Sequence, residues 1–265
     1  MRFSARALFA VVFVVVVAPF LCGQHADGPN APCPYQFTVG KTNSNTYIQY
    51  FVTDNGNLSS IETPFGHPML APDGEGYGLC QESPAVEYHD YIGSSSGWNP
   101  AQVLSLTGSS IKISRTTSDG RWTLVQAISK VSTNGSIKIV MALTNNARSD
   151  QVAYLLRFAD ISPDGIRSNP AGASLESAWA LDQETVGNDG LQLQNLGKSP
   201  FSYQHAFVYE YSVPPNACDF AFNSVGGGLI DPTKGSGKDP SVSYVYVGAV
   251  RSQQTITVTL SYHAL

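Results

Sequence analysis

Hydrophobic and polar residues alternate with a period of two over most of this chain. Ile137, Ile139, Met141 and Leu143 share one face of a segment, with Lys138 and Val140 opposite. In the next segment Val152, Tyr154, Leu156 and Phe158 share a face, with Gln151, Ala153, Leu155 and Arg157 opposite. Near the C-terminus Ile256, Val258, Leu260 and Tyr262 alternate strictly with Thr255, Thr257, Thr259 and Ser261. Successive side chains of a strand point to opposite faces, so this pattern predicts strands. Further strands are predicted over 47–53, 58–62, 85–92, 102–107, 111–116, 121–131, 201–211 and 242–250. Asp54-Asn55-Gly56-Asn57 joins the first two as a hairpin, because Asn-Gly tolerates positive φ. Ser118-Asp119-Gly120 and Thr133-Asn134-Gly135 punctuate the middle of the chain in the same way. Residues 64–78 hold three Pro and four Gly and read as a long loop, and 226–240 read as another. Residues 173–180 fit one helical turn or a short strand. About a dozen strands with little helix predict an all-β fold, a large antiparallel β-sandwich. No break in composition divides 35–265, which reads as a single domain.

The first residues follow a different pattern. Arg2 and Arg6 precede an apolar run from Leu8 to Cys22, after which the chain turns polar. This reads as a signal peptide over 1–23, followed by an extended leader over 24–34. Cleavage fits best after Gly23, with Ala26 as the alternative, and retention as an anchor is the rival reading. The expected location is therefore secreted, periplasmic or extracellular, with no membrane span once the signal is removed.

Composition narrows the partners. Only 13% of residues are charged, against about a quarter in an ordinary domain. Of the 15 basic residues Arg2 and Arg6 leave with the signal, so 13 face 20 acidic ones. No basic cluster exists to neutralise phosphates, which excludes nucleic acid as an expected partner. Cys33, Cys80 and Cys218 remain after Cys22 is lost, enough for one disulfide and one thiol. Cys33–Cys80 is the favoured pair, because both lie in Pro/Gly-rich stretches. No Cys has a neighbour at zinc-ligand spacing.

The run SDGRWTLVQAISKV, SIKIVMALTNNARSD, QVAYLLRFADI, together with the closing GAVRSQQTITVTLSYHAL, resembles large β-sandwiches of the galactose mutarotase-like, or supersandwich, kind. The likeness covers about a quarter of the mature chain. It implies a supersandwich-like fold and carbohydrate as the ligand class. That family's catalytic pattern, a His pair and a late Glu, does not carry over: no Glu follows Glu210.

Three groups of residues could carry chemistry. Glu87 and His89 fall on one strand face and could act as an acid–base pair, with His205 a further catalytic candidate. Asp160, Asp164 and Asn169 follow a strand end and offer oxygens to Ca²⁺, although no cofactor is required. Phe201, Tyr203, His205, Phe207, Tyr209 and Tyr211 form an aromatic stripe, expected mainly between the two sheets. Tyr203, Tyr209, Tyr211 and Trp98 are the sugar-stacking candidates. No serine-hydrolase elbow is present, and Ser94 to Ser96 read as loop. The expected role is a non-catalytic binding module with carbohydrate as ligand. The alternatives are a carbohydrate-active enzyme of mutarotase-like fold, using Glu87, His89 or His205, and an architectural envelope protein. Oligomeric state is left open.

Overall fold

Some alternating segments pair with a neighbour in the chain, as β9 does with β10, and others with distant strands, as β10 does with β17 and β11 with β4 and β16. The computed structural model describes residues 35–166, 169–182, 189–197, 203–209, 216–219 and 240–265. Of the two units of the chain, Met1–Ala31 lies outside the described residues, and Pro32–Leu265 carries every element below. The signal, the leader, Cys22, Cys33, Phe201, Tyr211 and residues 226–239 of the expected loop are also outside them. No described helix is long and apolar enough to cross a membrane.

The strands are β1 (Tyr35–Val39), β2 (Ile48–Val52), β3 (Leu58–Glu62), β4 (Leu70–Gln81), β5 (Val86–Tyr91) and β6 (Ser94–Ser96). They continue with β7 (Gln102–Leu106), β8 (Ser110–Thr116), β9 (Trp122–Val131), β10 (Ser136–Asn145) and β11 (Gln151–Ile161). The rest are β12 (Ala171–Ala173), β13 (Ser177–Leu181), β14 (Gly190–Asn195), β15 (Tyr203–Tyr209), β16 (Ser241–Val250) and β17 (Thr255–Ala264). They build a sheet of order β12-β13-β14-β17-β10-β9-β8-β7, a second of order β15-β16-β11-β4-β5-β6, and a small sheet β1-β2-β3. The described pairings are antiparallel, as the two long central hairpins illustrate. The fold is the all-β antiparallel sandwich that the alternation predicts.

The main core lies between the eight- and six-stranded sheets. Leu124, Ile128, Ile139, Met141, Val258 and Leu260 meet Leu79, Leu155, Ala159, Val242 and Tyr246 there. One departure from expectation concerns β11. Its apolar row, Tyr154, Leu156 and Phe158, faces away from this core and builds a second layer with Cys80, Tyr91, Ala217, Cys218 and Val245. The row with Arg157 faces inward. The strand sits in the middle of its sheet with both faces covered, and residues 153–161 are all buried.

Inward-facing Arg157 is tolerable because each of its three guanidinium nitrogens has a partner. Its Nε bonds Glu75, its Nη1 donates to Gln126 Oε1 at 2.7 Å and its Nη2 to the Gly56 carbonyl at 3.2 Å. Glu75 also accepts the Leu58 N–H at 2.6 Å and the Tyr262 hydroxyl at 3.1 Å. Burial pushes the Glu75 carboxyl up, and Arg157 and these donors pull it back. Beside it, Arg115 pairs with Asp90 and donates to Tyr77 Oη at 3.3 Å, while Asn57 Nδ2 donates to Asp90.

Residues 64–78, expected as loop, become largely strand. Residues 70–78 belong to β4, and the glycines mark a close approach rather than a turn. A Cβ on Gly76 would come within 2.1 Å of the Asp90 carbonyl oxygen, and one on Gly78 within 2.6 Å of Tyr91 Oη. The disulfide also differs from the favoured pair: Cys80 bonds Cys218, 138 residues away, with Cα atoms 4.9 Å apart. Cys80 is not in a loop but in β4, on the outer face of the six-stranded sheet, where Ala217 and Cys218 pack over it.

Candidate functional site

The pattern of β5 divides its side chains cleanly. Tyr88 and Asp90 turn to the interior and are buried; Glu87, His89 and Tyr91 take the other face. A two-residue turn, Ile92-Gly93, then reverses the chain, with Gly93 at φ 85°. The register sets Ser94 opposite Tyr91 and Ser96 opposite His89. This brings Ser94 Oγ 3.1 Å from His89 Nε2. The other ring nitrogen, Nδ1, stands 3.5 Å from Glu87 Oε2. Glu87 Oε1 accepts the Ala217 N–H at 3.2 Å. The His89 ring stacks on Tyr91 with centroids 5.5 Å apart, and Tyr91 meets Phe158 edge-on at 5.7 Å. The Glu87 and His89 side chains keep about a fifth of their surface exposed, at 22% and 21%. The structure thus joins Glu87 and His89 and adds Ser94, which sequence spacing missed because three serines after a glycine look like loop.

His205 does not join this group. It lies in the same cross-sheet row as His89, through Val245, Leu156 and Gly78. Four strand spacings separate the two, roughly 19 Å. His205 stacks on Phe207 at 4.7 Å. Both stand on the outer face and are partly exposed, while Ala206 and Val208 take the positions between the sheets. His205 and Phe207 of the aromatic stripe are therefore outside the inter-sheet core, contrary to expectation. The cause is register: His205 pairs with Val245 of the outward row, and Ala206 with inward Tyr244. Tyr203 and Tyr209 lie within β15, and Tyr211 lies outside the described residues. Trp98 belongs to the opposite side of the sheet. It packs edge-on against Tyr77 at 5.6 Å, with the Arg115 guanidinium 5.7 Å from its ring centre.

The calcium candidates are spread over one turn. Asp160 is buried at the end of β11 and Asn169 is buried, donating to the Ile166 carbonyl at 2.6 Å. Asp164, at φ 54°, engages His67 Nδ1 at 2.8 Å, and Asp189 stands 3.9 Å from the same nitrogen. The hydrogen bond to Asp164 raises the His67 pKa above its ordinary value, with further support from Asp189 and Asp182. Among the described residues no group of three or more His, Cys, Asp and Glu side chains is placed to hold a metal ion.

The fold these sheets define is a large antiparallel β-sandwich, and solved structures share it. One is a bacterial glucoamylase complexed with acarbose, with TM-score 0.57 and 12% identity over 86% of this chain. The chain spans 32% of that protein, about a third of its length. Another is an Escherichia coli K12 protein provisionally assigned as an aldose 1-epimerase, with TM-score 0.51 and 10% identity, covering 88% of this chain and 99% of that one. No protein-family profile and no curated protein matches the sequence. At these identities the likeness concerns the fold alone.

Proposed function

We propose that this chain is an exported carbohydrate-binding protein whose ligand rests on the outer face of the six-stranded sheet at β5 and β6. The observation that carries this reading is the juxtaposition of the part-exposed His89 ring, backed by buried Tyr91, with the accessible polar groups of Glu87 and Ser94. A pyranose offers an apolar C–H face for a ring and hydroxyls for a carboxylate, so such a pairing suits it. Two structures of this fold, a glucoamylase complexed with acarbose and a protein provisionally assigned as an aldose 1-epimerase, support sugar as the ligand class. The apolar N-terminal run behind Arg2 and Arg6 supports export.

Glycan-array screening of the oxidised protein, followed by calorimetry on each hit, tests the ligand. Binding is expected, with H89A and E87A each weakening it about tenfold, the worth of one good contact. An array without hits, or affinities unmoved by both substitutions, overturns the reading. N-terminal sequencing of exported protein is expected to begin at Gln24.

A further inference from the structure

His89 uses its two ring nitrogens for two different partners: Nε2 meets Ser94 Oγ at 3.1 Å, and Nδ1 faces Glu87 Oε2 at 3.5 Å. We propose that Ser94, His89 and Glu87 form a nucleophile–base–acid relay that hydrolyses a carboxylic ester; this activity does not depend on the sugar reading. With the proton on Nδ1, the nitrogen beside the carboxylate, Nε2 would offer its lone pair to the serine hydroxyl, the tautomer an activated nucleophile requires. The hydroxyl–imidazole distance is within hydrogen-bond reach. The imidazole–carboxylate distance is the looser one, as is common before substrate binds.

Both supporting groups are held from a second direction. Tyr91 stacks on the His89 ring and fixes its plane. The Ala217 N–H holds the far oxygen of Glu87 at 3.2 Å. Ala217 is itself anchored by the Cys80–Cys218 bond, and Cys80 lies directly across from Glu87 in the β4–β5 register. The disulfide therefore locks the donor that orients the acid. Ser94 is exposed, and Gly93 before it carries no side chain to block approach.

The step balances as follows. Ser94 Oγ attacks the ester carbonyl carbon while its proton passes to His89 Nε2. The carbonyl re-forms, the C–O bond to the alkoxy group breaks, and His89 returns the proton to the departing alcohol. Water, activated by the same nitrogen, then attacks the acyl-serine and releases the carboxylic acid, restoring Ser94. Ester and water yield acid and alcohol, with no redox partner.

The oxidised full chain is treated with a fluorophosphonate probe and, separately, with p-nitrophenyl acetate. Labelling of the Ser94 peptide and hydrolysis above the rate of denatured protein are expected. S94A should abolish both with its melting transition unchanged. H89N should abolish labelling, and E87Q should lower kcat about tenfold or more with little change in KM. A folded protein whose Ser94 stays unlabelled, or whose hydrolysis is the same in S94A, overturns the proposal. Loss of sugar binding with labelling intact leaves the relay standing and removes only the ligand reading.

Discussion

Arg157 is fully buried on a strand whose other face is apolar, and Glu75, Gln126 and the Gly56 carbonyl accept its hydrogen bonds. A charge there is stable only while Glu75 answers it. Arg157→Met is expected to cost about 3–5 kcal/mol, because Glu75 is left buried and uncompensated. Urea unfolding checks this, and E75L/R157M should recover part of the loss. The pairing was not legible in the sequence. Arg157 stands on the polar side of an alternating strand, where solvent exposure is the ordinary expectation, and Glu75 sits among Pro and Gly that mimic a loop. Glu87 and His89 were legible, since two residues apart on one strand means one face. Ser94 was not, because its approach to His89 depends on a diagonal contact across a turn.

At the scale of elements, β9, β10 and β17 follow the simple rule that one face packs and the other is wet, so their alternation reveals them. β4 breaks the rule. Gly76 and Gly78 lower its strand signal, yet Tyr91 and the Asp90 carbonyl need the room they leave. β15 shows the converse error: a row of rings draws the eye, but the small residues Ala206 and Val208 face the inter-sheet core. The edge strand β7 is exposed along its whole length, including Val103, Leu104 and Leu106, and carries no charge. Such an edge invites pairing with another chain. Leu104→Lys is expected to leave stability within about 0.5 kcal/mol. It should also slow aggregation of concentrated protein, as light scattering and thermal melts would show.

For the molecule as a whole, the Cys80–Cys218 bond is the constraint that composition could not resolve, since three cysteines allow three pairings. It closes a loop of 138 residues in sequence separation, for which the chain-entropy argument gives about 5 kcal/mol at most. C80S/C218S is therefore expected to lower unfolding free energy by about 2–5 kcal/mol. Guanidinium titration of the oxidised and double-serine proteins checks it, and peptide mapping without reductant should recover the Cys80 and Cys218 peptides joined. Asn57, whose amide is sealed against Asp90 with 2% of its surface exposed, has a consequence for production of the protein. Asn57-Leu58-Ser59 fits the acceptor pattern for N-linked glycans. A host that attaches glycans during synthesis would modify that amide before β3 and β5 come together. The sheets could not then close over it, so the choice of expression host would decide whether the chain folds.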